Sequence, residues 1–208
     1  MNRKPPSVQI IAGRWKRRRL GVPEDARPTS GRAREALFSI LQKRIPGARV
    51  LDLYAGSGAF GLEAVSRGAA LAVLVEKDGR MLRDNLARLP PPREEIEIVA
   101  AHADAALETF LRAGRRFDIV FADPPYGTSP EALRARAEGV LEPGGLFVYQ
   151  GDRGGEGAPA LAGLHCVERR EYGRNVFFFF SADPAARPSK APPDLPGSRT
   201  KRSEPGPL

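Results

Sequence analysis

The sequence predicts an α/β fold: a mostly parallel, seven-stranded sheet that ends in an antiparallel hairpin and is preceded by a small basic N-terminal extension. Three observations predict it. Short apolar runs alternate with helical patterns in the manner of strand-crossover-strand units. A turn matching G-x-G-x-x-G joins the first such run to a helical segment. The last two apolar runs are joined only by Glu171-Tyr172-Gly173-Arg174, too short for a crossover helix, so they pair antiparallel.

Taken in order, residues 8–12 and 17–22 read as a small basic hairpin. Ser30 then caps a helix through Arg34, Leu37, Phe38 and Leu41, whose spacing makes an apolar stripe. Strands follow at 49–54, 71–76, 96–101, 117–122 and 145–150, with helices at 59–67, 79–89, 104–113 and 130–141. The hairpin strands are 164–170 and 175–181. From Ser181 onward the apolar periodicity is lost among Pro184, Pro188, Pro192, Pro193 and Pro196, a composition that buries too little surface to offset its ordering entropy. The expected division is therefore 1–44 for the extension, 45–181 for the main domain and 182–208 for a disordered proline-rich tail.

At 208 residues the chain buries one good core. Its net charge is +8, and Arg3, Lys4, Arg14, Lys16, Arg17, Arg18 and Arg19 all precede the first acidic residue, Glu24. Such clustering implies a polyanionic partner, with Arg14, Lys16, Arg17, Arg18 and Arg19 as candidates for phosphate contacts; the plainer alternative is a solvated face. A single cysteine, Cys166, excludes an internal disulfide, and with only His102 and His165 beside it no zinc site is expected. No early apolar run follows the basic start and none approaches the length of a membrane span, so a cytoplasmic protein is expected.

The first strand, Val50-Leu51-Asp52-Leu53-Tyr54, runs into Ala55-Gly56-Ser57-Gly58-Ala59-Phe60-Gly61. Glycines there permit a tight turn, close approach of backbone to a ligand at Gly56, Ser57 and Gly58, and close helix packing. Glu76, followed by Lys77, ends the next strand, where a carboxylate accepts hydrogen bonds from ribose hydroxyls. A nicotinamide dinucleotide and S-adenosyl-L-methionine compete for this geometry.

The fourth strand decides between them. It ends in Asp123-Pro124-Pro125-Tyr126, a rigid turn that holds a carboxylate, a carbonyl and an aromatic face where open α/β sheets bind ligands. Asp123 and the Pro124 carbonyl can accept hydrogen bonds from an exocyclic amino group, while Tyr126 stacks on the base and Pro125 lines its seat. Hydride transfer has no use for an amine clamp, so S-adenosylmethionine is favoured. Asp104, with Ala105, then meets the adenine amino group or is an ordinary helix N-cap. Asp52 contacts the amino-acid part of the cofactor or only orders the glycine turn. His102, His165 and Cys166 read as packed in or beside strands, and residues 177–180 as sheet core.

Residues 51–69, preceded by Arg27-Pro28-Thr29 and Arg34-Glu35-Ala36-Leu37-Phe38, resemble the RsmD family of bacterial 16S ribosomal RNA guanine-N2 methyltransferases. The opening Ile10-Ile11-Ala12-Gly13 and the Asp-Pro-Pro-Tyr turn fit as well, so the resemblance covers roughly residues 8–180. Tyr54 and Phe60 depart from it, standing where Phe and a smaller aliphatic are expected. The resemblance implies the Rossmann-like class I methyltransferase fold, S-adenosylmethionine as cofactor and an N2-methylguanine product in 16S rRNA, free or within a partly assembled 30S particle. It also implies a loop of Arg27, Thr29 and Arg32 near cofactor and substrate; a monomer is expected. The same clamp would also accept adenine N6, and a non-catalytic RNA-binding assembly factor is the alternative from another class.

Overall fold

The computed structural model describes residues 6–23, 29–90, 94–125, 131–152, 157–188 and 198–201. The basic start forms an antiparallel hairpin, β1 (Ser7–Gln9) with β2 (Arg19–Gly21), followed by α1 (Gly31–Ile40), whose first turn is capped by Ser30 Oγ accepting from the Ala33 N–H at 3.2 Å. Then come β3 (Arg49–Leu53), α2 (Ala59–Ser66), β4 (Leu71–Glu76), α3 (Arg80–Ala87), β5 (Ile96–Ala100), α4 (Ala103–Arg112), β6 (Phe117–Ala122), α5 (Glu131–Arg136), β7 (Leu141–Asp152), β8 (His165–Tyr172), β9 (Asn175–Ser181) and β10 (Ser198–Lys201).

The main sheet runs β10-β8-β9-β7-β6-β3-β4-β5. Strands β5, β4, β3, β6 and β7 are mutually parallel, because each is followed by enough chain to cross back over the sheet. The short Gly173 turn instead forces β8 and β9 to pair antiparallel. Covered on both faces, the central strands are apolar on both. Val50, Ile119 and Phe121 face the layer of α1, α2 and α3, while Leu51, Leu53 and Val120 face that of α4 and α5. The run 177–180 divides in the same way, Phe177 and Phe179 to the first layer and Phe178 and Phe180 to the second.

The extension shares this core. Phe38 of α1 packs with Phe60 and Phe121, whose own rings stack 5.4 Å apart, so the aromatic at position 60 fills an aromatic cluster. Below it the fully buried Glu63 carboxylate accepts the Ile11 N–H (2.6 Å), the Ala12 N–H (3.0 Å) and Arg67 Nε–H (2.7 Å). Arg34 Nη2 donates to the Gln9 carbonyl at 2.6 Å.

One expectation needs correction. The helix expected over 130–141 stops at Arg136, gives way to a 3₁₀ turn at Glu138–Val140, and Leu141 already belongs to β7. Pro143 and the positive φ of Gly144 (77°) cannot continue a helix, and the pairing jumps from Phe117↔Leu141 to Ile119↔Leu146 across a bulge. Of the segment from 182 onward, residues 182–188 and 198–201 are described. Arg44 donates to the carbonyls of Arg187 (3.2 Å) and Pro188 (3.1 Å), and Ser198–Lys201 adds an eighth strand to the open edge of β8. Unpaired strand edges and multidentate guanidinium groups recruit backbone that has no core of its own. The rest of the tail lies outside the described residues. Among the described residues, no helix is long and apolar enough to cross a membrane.

Candidate active site

The chain after β3 turns into α2 on one face of the sheet and the chain after β6 into α5 on the other, so a crevice opens above the carboxyl ends of these neighbouring strands. Register fixes who meets there. Leu53 pairs with Ala122 and with Val75, which sets Tyr54 between Asp123 and Glu76. Ala122 pairs with Tyr149, so Gln150 stands beside Asp123.

The glycine turn forms one wall. Tyr54, Gly56 and Gly58 have φ of 61°, 54° and 80°, and for Tyr54 this left-handed conformation is strained. Glu76 Oε2 accepts the Gly56 N–H at 2.8 Å. A Cβ on Gly56 would meet nothing nearer than the Tyr54 carbonyl at 4.0 Å, so the turn faces open space. At Gly61 the demand is opposite: a Cβ would lie 2.0 Å from Leu74 Cδ2, and only glycine lets α2 lie this close to the sheet. Asp52 Oδ2 accepts the Gly61 N–H at 2.9 Å. Of the two roles expected for Asp52, ordering the turn is the one this contact serves.

Carboxylates converge here. Burial, followed by the charges of Asp123 and Glu76, pushes Asp52 up to about 7, against the Gly61 hydrogen bond that lowers it. Burial likewise raises the Tyr54 phenol to about 12, with Asp104 and Tyr149 adding to the shift. Such a site favours a cationic ligand and a flat, partly apolar one. S-adenosylmethionine, a sulfonium with an ammonium group and a ribose, fits it; Glu76 would hold the ribose, and the turn at Gly56, Ser57 and Gly58 would face its backbone side.

The other expected residues are placed as follows. Asp123 and Pro124 are half-buried and Pro125 exposed at the end of β6; Tyr126 and Arg27 lie outside the described residues. Thr29, 8% exposed, donates its hydroxyl to Gln150 Oε1 at 2.9 Å, which brings the end of the extension to the Asp123 side of the crevice. Arg32 and Lys77 are exposed. Asp104 is not the N-cap of α4: His102 is, without a side-chain bond, and Asp104 and Ala105 sit exposed in the first turn near Tyr54. Arg14 is paired in two-pronged fashion with Glu95 (3.0 Å) and lies over Trp15, whereas Lys16, Arg17, Arg18 and Arg19 are exposed.

One residue was missed. Asn85, fully buried on α3, accepts the Gly21 N–H (2.7 Å) and donates to the carbonyls of Gly21 and Ser57 (both 2.9 Å), tying the hairpin to the glycine turn. Its signal was in the sequence: Leu82, Asn85 and Leu89 share one stripe, and an amide on an apolar stripe needs partners.

A family model described as conserved hypothetical protein 95 matches residues 8–181. The chain belongs to this family, the RsmD family. Relatives within it include the ribosomal RNA small subunit methyltransferase D of Escherichia coli K12, 41% identical over 124 residues, or 57% of this chain. The match spans 60% of that relative's length. A putative rRNA methyltransferase of Bacillus subtilis, YlbH, is 29% identical over 80% of this chain and 94% of its own. Among solved structures, a putative methyltransferase of Escherichia coli, yhhF, superposes with a TM-score of 0.72 at 34% identity, covering 84% of this chain and 97% of that one. The RsmD-family fold is thus the class I methyltransferase fold.

Proposed function

We propose that the chain transfers a methyl group from S-adenosylmethionine to the exocyclic N2 of a guanine in small-subunit ribosomal RNA. The juxtaposition of Asp123 and Pro124 at the end of β6 with Glu76 at the end of β4, on either side of the strained Tyr54, carries the reading. Family membership supports it, as do relatives bearing the name ribosomal RNA small subunit methyltransferase D. When bound, the cofactor supplies a methyl group already activated on a sulfonium.

What the chain must add is position. A guanine flipped from its stack presents two N2 hydrogens. The Asp123 carboxylate accepts one and the Pro124 carbonyl the other, which draws the nitrogen lone pair out of conjugation with the ring and aims it toward the cofactor side of the crevice. Tyr126 stacks on the base. The proton released from N2 passes to water. Lys16, Arg17, Arg18, Arg19 and Arg32 hold phosphates of the surrounding RNA, and the protein works in the cytoplasm as a monomer on rRNA free or in a partly assembled 30S particle.

A charge-assisted hydrogen bond contributes about 1.5–3 kcal/mol, so Asp123→Ala should slow turnover at least tenfold. The test is methylation of 16S rRNA and of 30S precursors with methyl-labelled cofactor, followed by nucleoside mass spectrometry. N2-methylguanine supports the reading. N6-methyladenine would replace it, and label absent from every nucleic acid offered would reduce the chain to an RNA-binding factor.

A further inference from the structure

The basic turn between β1 and β2 is not beside the pocket. The Arg14 N–H donates to the Ser66 carbonyl at 2.8 Å, and Trp15 Nε1–H donates to the Pro90 carbonyl at 3.0 Å. Ser66 ends α2 and Pro90 lies just beyond α3, so the turn sits under the end of the helical layer remote from the carboxyl rim. α3 alone is eight residues, about 12 Å at 1.5 Å per residue. From this turn β2 climbs to Gly21, where Asn85 clamps it to the glycine turn.

Beside that strand stands Arg88, the residue that ends α3. Its backbone N–H closes the helix on the Asn85 carbonyl at 3.2 Å, its side chain is exposed and enters no ion pair among the described residues, and its Nη1 lies 3.4 Å from where a Cβ on Gly21 would sit. Lys16, Arg17, Arg18 and Arg19 are likewise exposed; of the carboxylates that reach this turn, Glu95 is taken by Arg14 and Glu63 by backbone N–H groups and Arg67. The result is a cationic strip of five exposed side chains, running from beside Gly21 to the far end of the layer.

We propose that this strip, Arg88 included, is a phosphate track for the RNA flanking the target base, and that the substrate is therefore a structured RNA whose backbone continues at least a helix length from the reacting guanine. The proposal rests on the reading of RNA as substrate. A nucleotide or a very short single strand fills the pocket but cannot reach the turn, whereas an A-form stem presents phosphates over that span, read by shape rather than sequence.

The test compares the full chain with an Arg17→Gln/Arg18→Gln/Arg88→Gln variant, using a fluorescent RNA stem-loop of about ten base pairs and a five-nucleotide single strand containing guanine. Each lost phosphate contact lowers the slope of log K against log salt by about 0.7–0.9. The slope for the stem-loop should fall by about 2–3 and that for the short strand by less than one. S-adenosylhomocysteine affinity, unchanged in the variant, shows that the fold is intact. An unchanged stem-loop slope, or an equal loss for both RNAs, overturns the track. N2-methylguanine formed by the parent chain together with an unchanged slope would sink the track alone. A reduced slope with no methylated guanine on any RNA would sink the proposed reaction and leave the track standing.

Discussion

Gly61→Ala tests how tightly the glycine turn is wedged against the sheet. In an exposed helix this change stabilises by about 1 kcal/mol. Here the new methyl would lie 2.0 Å from Leu74 Cδ2 and 3.4 Å from Asp52 Cβ and Oδ2. Ordinary carbon contact is about 3.5–4.0 Å, so roughly 1.5–2 Å must be found by rotating a fully buried Leu74 or lifting α2. Overpacking of this kind costs about 1–3 kcal/mol, and weakening the Gly61 N–H bond to the buried Asp52 carboxylate adds about 1.5–3 kcal/mol. The net loss, after the helical gain, is about 2–5 kcal/mol, which for a domain of this size is roughly 5–15 °C in Tm. Thermal unfolding measures it, with calorimetric titration of S-adenosylhomocysteine reporting the displaced turn. Leu74→Ala in the same background should recover part of the loss, because the truncated side chain vacates the contested space. A Tm equal to or above that of the parent would refute the wedge, since only the helical gain would then be operating.

Two further outcomes follow from the acidic side of the crevice. Glu76→Ala removes both the anchor of the Gly56 N–H and the oxygen proposed to hold the ribose, so S-adenosylhomocysteine should bind about 10–150-fold more weakly, with Glu76→Gln intermediate; affinity within threefold of the parent by titration calorimetry would contradict this. Asp52 titrates near 7 in the fold, far above its unfolded value of about 3.9, so the native state binds the extra proton and this group's stabilising contribution is lost as pH rises from about 4 to about 7. Asp52→Asn should therefore gain stability relative to the parent between pH 5 and pH 7.5, by up to roughly 4 kcal/mol over the full titration, in urea melts at each pH; a pH-independent difference would show that Asp52 does not titrate there.

Much of this architecture was legible because its determinants are local. Apolar runs 71–76 and 117–122 form strands with those limits, and Ser30 caps the helix it precedes. The glycine turn and the carboxylates that flank it were readable from spacing alone, since register in a parallel sheet brings successive strand ends together. Determinants that act over long separations were not. Arg14 looks like its basic neighbours until Glu95, 81 positions away, claims it. Asp104 sits two residues too deep to cap α4, because His102 has the extended backbone that starts the helix. The premature end of α5 depends on a bulge against β6 that no periodicity reveals.

Glu63 accepts backbone from residues 52 and 51 positions earlier in the chain. During translation the basic hairpin therefore emerges before the ledge that grips it, since Glu63 follows Ile11 by 52 positions. Until α2 is complete, the nascent polypeptide carries this cationic hairpin without its seat. A product truncated before position 63 would lack the carboxylate that seats this hairpin.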